Sequence, residues 1–367
     1  MNIHTDRRSI LGGLLASPVL SMAPTAGKQK SRGGLSTLTD LDFGCAVQAR
    51  HVLVDQGLRE TILKECDTIT PELELKWDFV ESDKGQLNLA PAQQLAQIVT
   101  DAGKKLHGHA LVWHKSTPAW AIEAILDQRE WSIVTNFFDA IMPPFSKAID
   151  SWDVVNEPIE TGHGEDGLRN SFLMRAFGAD YIERAFVDAR ARASRADLYL
   201  NEFGLLDAQS YSSAKRAATL RLLERLVSRG VPIDGLGIQG HLDLKRGPID
   251  QQGVSNFVQK VADLGLKIRI SELDVREASP DIPQTNRDQE VANAVAALLD
   301  VVLPFDNLTG ITCWGISDRY SWLPPLSITA GLNRGLPLDS DLRQKPMYWV
   351  LENALRQRKP SKSSDRV

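Results

Sequence analysis

The strongest constraint in this sequence is an alternation that runs along most of its length: a short β-branched or apolar run, a polar loop, then a segment with helical periodicity. Strands are expected near residues 43–47, 68–70, 105–112, 151–155, 198–200, 236–238, 267–270 and 308–313, with a helical segment after each. Leu220, Leu223, Leu226 and Val227 show the three-and-four spacing that buries one helix face, and the stretch from Val291 to Leu303 repeats it with Ala, Val and Leu. Strands that alternate with helices pair in parallel, because each helix carries the chain back across the sheet. Eight such units over about 320 residues, uninterrupted by repeats, low-complexity tracts or linkers, predict one α/β domain, a single (β/α)8 barrel over residues 39–358.

The ends follow different rules. Arg7-Arg8 precedes an uncharged stretch, Ser9 to Gly27, that carries Ile10, Leu11, Leu14, Leu15, Val19 and Leu20. Residues 1–27 thus resemble a twin-arginine export signal, which implies a periplasmic or extracellular protein. Gly12, Gly13, Ser17 and Pro18 dilute the apolar run, so no stable membrane span is expected in the mature chain. Residues 28–38 read as a Gly/Ser/Lys-rich linker and 359–367 as a solvated tail.

Composition narrows the partners. With 43% hydrophobic and 24% charged residues among 367, the chain can bury a large core, and disorder or a fibrous repeat is excluded. A net charge of -5 without any basic block leaves no footprint for nucleic acid. Cys45, Cys66 and Cys313 are odd in number and show no CxxC or zinc-like spacing. They read as small core residues or isolated thiols, with Cys45–Cys66 as a disulfide that export would permit. The chain is expected to act as a monomer.

In such a barrel the site lies where strands end and βα loops begin. Unusual polar and aromatic residues gather at those ends: Glu72 and Lys76 with Trp77 after the second strand; His109, Trp113 and His114 at the third; Asn156-Glu157 at the fourth; Asn201-Glu202 at the fifth. Gln239 and His241 follow the sixth, Glu272 and Asp274 the seventh, and Trp314 with Trp322 the eighth. Each alone has an ordinary explanation as a helix cap, a bonded structural histidine or a core tryptophan. Helix capping does not explain so many at one face of a barrel.

Glu157 and Glu272 are the most informative pair, because two carboxyls on different strands can face each other across the mouth. Glycosidic bond cleavage needs one carboxyl to protonate the leaving oxygen and another to attack the anomeric carbon or activate water. A period of two places Ile268, Ile270, Glu272 and Asp274 on one face, so Asp274 is positioned to orient a neighbour of Glu272. Adjacent Asn156 and Glu157 cannot both point inward from a regular strand, which predicts a bulge or loop onset there.

These motifs resemble those of glycoside hydrolase family 10, the β-1,4-xylanase family. WDVVNEP at 152–158 is similar to its acid/base signature and ISELD at 270–274 to its nucleophile signature. TPELELKW (70–77), GHALVWH (108–114), LYLNE (198–202), QGH (239–241), WGISDRYSW (314–322) and PLDSDLRQKPMY (337–348) follow the family's order. The resemblance implies a retaining double displacement on xylan or xylo-oligosaccharides, with Glu157 as acid and then base and Glu272 as nucleophile. It further implies that Asn156 binds the sugar 2-hydroxyl, that His241, supported by Asp274, bonds Glu272, and that Lys76 and His109 hold sugar hydroxyls. Trp113, Trp314 and Trp322 would form apolar walls that favour xylose over glucose. Glu72, Asn201 and Gln239 complete the expected substrate-binding set. No cofactor or metal is implied.

Four motifs depart from the family pattern: Leu73 replaces Asn, Lys115-Ser116 replaces Ser-Gln, Glu202-Phe203-Gly204 replaces Asp-Tyr-Asn, and Leu323 replaces Arg. Loss of amides at Leu73 and Ser116 is expected to weaken the sugar site beside the cleavage point. Two other readings fit parts of the sequence. His107-Gly108-His109 is an HxH that a metal-dependent barrel hydrolase would use, although Glu157 and Glu272 would then lack a role. A sugar-binding barrel without catalysis would typically have lost one of the two glutamates.

Overall fold

All eight runs form strands. The computed structural model describes residues 33–164, 166–327 and 331–358. β1 (Asp42–Val47), β2 (Thr68–Pro71), β3 (Lys105–Trp113), β4 (Ile149–Asn156), β5 (Asp197–Glu202), β6 (Gly235–Ile238), β7 (Lys267–Arg276) and β8 (Leu308–Cys313) alternate with helices. Each pairs in parallel with the next, and β8 also pairs with β1, which closes the ring. The fold is a closed (β/α)8 barrel, and closure leaves the ring without a free strand edge. A three-residue strand, His241–Asp243, lies beside the far end of β7 with His241 opposite Asp274. Three residues carry no legible periodicity, so the sequence pattern does not reveal it.

Packing explains one motif glycine. A Cβ on Gly108 would lie 2.0 Å from the indole of Trp152, its partner across the β3–β4 ladder. The largest fully buried side chain therefore rests on bare backbone.

The barrel interior is polar in its middle layers, where residues from alternate strands meet. Arg269 Nη2 donates to Thr312 Oγ1 at 2.9 Å, and His107 Nδ1 lies 2.8 Å from Ser151 Oγ. Two register shifts then decide what reaches the C-terminal mouth. On β4 the pairing slips between Asp153 and Val155, and Asn156 joins the interior network instead of Val155. On β7 it slips between Ile270 and Leu273, so Ser271 and Glu272, although adjacent, both bond Asn201. The uniform face expected for Ile268, Ile270, Glu272 and Asp274 is broken by that slip, because a bulge reverses the alternation of a strand.

Cys45, Cys66 and Cys313 are free and buried, so Cys45 and Cys66 form no disulfide. Burial pushes the Cys66 and Cys313 thiols well up, which keeps them protonated and unreactive.

The export signal expected over 1–27, residues 28–32 of the expected linker and the tail over 359–367 lie outside the described residues. Packed chain begins inside the stretch read as linker: Leu35–Leu38 form a 3-10 turn, Leu35 is buried, and its N–H donates to Glu65 Oε2 at 2.9 Å. Among the described residues no helix is long and apolar enough to cross a membrane.

Candidate active site

A cleft of about 1080 Å³ opens at the C-terminal ends of the strands. Of the residues expected at the site, Glu72, Lys76, His109, Trp113, Glu157, Gln239, His241, Glu272, Asp274, Trp314 and Trp322 line it. Asn156 and Asn201 do not: both are buried beneath its floor. The Asn201 amide nitrogen donates to Glu272 Oε1 at 2.6 Å and to Asn156 Oδ1 at 2.9 Å, and its oxygen accepts from Ser271 Oγ at 2.6 Å. With those bonds made, Asn201 supports Glu272 and has no amide group to spare for a sugar. Asn156 Oδ1 also accepts from Gln239 at 3.4 Å, so the Asn156 NH2 is the end left for a ligand.

Glu272 is gripped from both sides. Opposite Asn201, its Oε2 lies 3.1 Å from His241 Nε2, whose Nδ1 lies 2.8 Å from Asp274 Oδ1. Asp274 in turn accepts from Trp322 Nε1 at 2.5 Å, which ties the half-exposed tryptophan to the same chain of bonds. Gly240, at φ +82°, turns the chain between Gln239 and His241, where a Cβ would crowd Ile270 at 2.9 Å. Burial disfavours charge on His241, but the Asp274 and Glu272 carboxylates outweigh it and raise its pKa to about 10. The imidazole therefore stays cationic at neutral pH and sets a positive charge against Glu272 and Asp274.

Glu157 sits where β4 ends, at φ +56° in the left-handed region, a conformation that costs a non-glycine residue about 1–3 kcal/mol. This loop onset is what lets neighbouring Asn156 and Glu157 both serve the site. Three bonds hold it: Glu157 N–H to the Asn201 carbonyl (2.9 Å), Arg169 Nε to the Glu157 carbonyl (2.8 Å), and Ile159 N–H to Glu202 Oε2 (2.9 Å). Burial raises the Glu157 carboxyl, but Lys115 above all, helped by Trp113, lowers it below its ordinary value.

Glu202 is itself fully buried and paired at 2.8 Å with Lys215, which is equally inaccessible. Burial lifts the Glu202 carboxyl to about 7 against the pull of Lys215. Lys215 lies on the helix Ser210–Ser228, and its Nζ rests 3.2 Å from the Phe203 ring centroid. Neither Lys215 nor Arg169 was marked by the sequence pattern. The signal available was spacing: Lys215 shares the inward stripe of Thr219, Leu222 and Leu226.

The remaining walls are aromatic. The Lys76 ammonium lies 4.8 Å from the Trp113 ring centroid and 5.8 Å from that of Trp314, and burial lowers its pKa. His109 packs edge-on to Trp113 and Trp314, with Nδ1 2.8 Å from Asp153 Oδ2. His107 Nε2 lies 3.0 Å from the same oxygen. The HxH thus converges on a buried carboxylate, and the two imidazoles, working against its burial, hold Asp153 well below the usual range. Leu73 lines the cleft as expected, but Ser116 does not: it is buried and bonds Asp78, whereas Lys115 faces the cavity. A loop side chain has no periodicity to show which of two neighbours turns inward.

A parallel barrel with two buried carboxyls at its mouth, one gripped by an asparagine and an imidazolium, and with tryptophan walls, defines a glycosidase of the TIM-barrel class. The chain belongs to glycosyl hydrolase family 10, whose model matches residues 35–354. Endo-1,4-beta-xylanase A of Fusarium oxysporum f. sp. lycopersici is 32% identical over 326 residues, 86% of this chain and 95% of its own length. Endo-1,4-beta-xylanase B of Thermotoga neapolitana is 28% identical, covering 82% of this chain and 83% of its own. Among solved structures, xylanase 10B of Thermotoga petrophila RKU-1 in complex with xylobiose superimposes with TM-score 0.77 at 26% identity, over 90% of this chain and 98% of that one.

Proposed function

We propose that this chain is a retaining endo-1,4-β-xylanase in which Glu157 is acid and base and Glu272 the nucleophile. The observation that carries the reading is the grip on Glu272: Asn201 at 2.6 Å and cationic His241 at 3.1 Å fix its orientation from both sides. In the first step protonated Glu157 gives its proton to the glycosidic oxygen while a Glu272 oxygen attacks the anomeric carbon. The carbon–oxygen bond breaks, the aglycone leaves as an alcohol, and a glycosyl ester remains on Glu272. Ionised Glu157 then takes a proton from water as that water displaces Glu272, which restores both groups and the original configuration. Asn156, Lys76, His109 and Gln239 bind hydroxyls, and the tryptophans pack on CH-rich sugar faces.

The family and the named activities of its members support a xylan or xylo-oligosaccharide substrate. The arginine pair and apolar run in residues 1–27 support export to the periplasm or beyond. An aryl xylobioside should be cleaved with higher kcat/KM than the corresponding aryl cellobioside, because Trp314 and Trp322 line the cleft and would crowd a hydroxymethyl group packed against them. Early products followed by proton NMR should be β-configured. Equal efficiencies would remove the xylose preference, and an α-configured first product would remove the double displacement.

A further inference from the structure

We propose that Lys115 is a positioning residue for Glu157: its ammonium holds the carboxyl ionised, which confines the proton-donating first step to more acidic pH and readies the base for the second. This inference rests on the acid/base reading of Glu157. Lys115 lies two residues beyond the end of β3, and its Nζ is 3.0 Å from Glu157 Oε2. Its side chain is 56% exposed while that of Glu157 is 6% exposed, so a hydrated cation caps a buried acid. The ammonium lies 5.7 Å from the Trp113 ring centroid and 5.6 Å from that of Phe203.

The other charged and titratable groups around Glu157 are committed elsewhere. Beside β3, burial and neighbouring cations lower His114 to about 4, so it is neutral at working pH. Behind β2, Lys76 answers first to Glu272 and Glu72. From β5 and the following helix, Glu202 and Lys215 neutralise each other. Arg169 binds the Glu157 and Ile159 carbonyls and lies 3.4 Å from Glu160. Glu272, on β7, is held by His241 and Asn201. Lys115 is the cation placed against the carboxyl oxygen itself.

A cation at that distance favours the anion. The first step needs the neutral acid, so its rate falls as Glu157 ionises, and a cation that favours the anion moves the basic limb of kcat/KM to lower pH. The test compares the parent with Lys115→Met, which keeps most of the stem without the charge, and Lys115→Arg, which restores the charge. On xylo-oligosaccharides the Lys115→Met basic limb should rise by about one pH unit, equivalent to about tenfold more activity above the parent limb. Lys115→Arg should stay with the parent. Raising ionic strength should move the parent limb upward and leave Lys115→Met unmoved, because an exposed ammonium is screened by salt. A carbon-13 titration of the Glu157 carboxyl, assigned by its loss in Glu157→Gln, reads the same shift without substrate. An unmoved limb and an unmoved titration in Lys115→Met, or a Lys115→Arg profile that follows Lys115→Met, would overturn the inference while leaving the xylanase reading intact. A parent that cleaves no xylo-oligosaccharide would overturn both.

Discussion

Glu272→Gln is expected to lose turnover on every substrate, on the order of 10⁴-fold or more, because the covalent route has no second nucleophile. The loss should be chemical and not structural. The amide keeps the shape of the carboxylate: its oxygen can accept from Asn201, and its NH2 can donate to His241 Nε2 once the imidazole, no longer facing that carboxylate, is neutral with its proton on Nδ1 toward Asp274, so the denaturation midpoint should stay close to the parent's. Glu157→Gln should behave differently. Substrates with activated phenolate leaving groups need little protonation and should keep much of their first-step rate, whereas xylan should lose nearly all of its turnover. Steady-state kinetics on an aryl xylobioside and on xylan separate the two roles. Equal losses on both substrates in Glu157→Gln, or undiminished turnover in either variant, would remove the assignment.

The second large effect is on stability. Lys215→Met removes one partner of an ion pair in which both side chains are fully inaccessible, and should cost about 3–5 kcal/mol in urea denaturation. The penalty arises because Glu202 must then keep a buried charge alone or take up a proton. Its Oε2 also accepts the Ile159 N–H that anchors the loop carrying Glu157. Activity should therefore fall along with stability. Combining Lys215→Met with Glu202→Gln should recover much of the lost stability, since two neutral groups of similar volume remain. A single variant within about 1 kcal/mol of the parent would show that the pair carries little of the fold's stability.

The barrel was legible because its strands are short apolar runs each followed by a helical stripe, and parallel pairing with eight crossovers leaves few alternatives. Glu157 and Glu272 were legible because each sits in a run of distinctive neighbours at a strand end. Which residues share a face was less so. The slip on β7 that turns both Ser271 and Glu272 toward Asn201 depends on what β8 presents beside it, and one strand's alternation cannot record that. Lys215 was hidden for another reason: a lysine on an amphipathic helix ordinarily marks the solvent side, and only the buried Glu202 makes an inward lysine stable. The loop after Trp113 shows the same limit, since Lys115 and not Ser116 turns to the cleft, a choice made by Asp78 capturing the serine hydroxyl.

The role of Glu272 can be tested by trapping. A 2-deoxy-2-fluoro xylobioside with a good leaving group slows both steps, and a reactive leaving group rescues the first, so a glycosyl-enzyme should accumulate on a retaining enzyme. Intact-mass analysis should show one added fluoroxylobiosyl unit, and peptide mapping should place it on Glu272. A chain that turns over xylo-oligosaccharides yet carries no label, or carries it on any other residue, would contradict the mechanism.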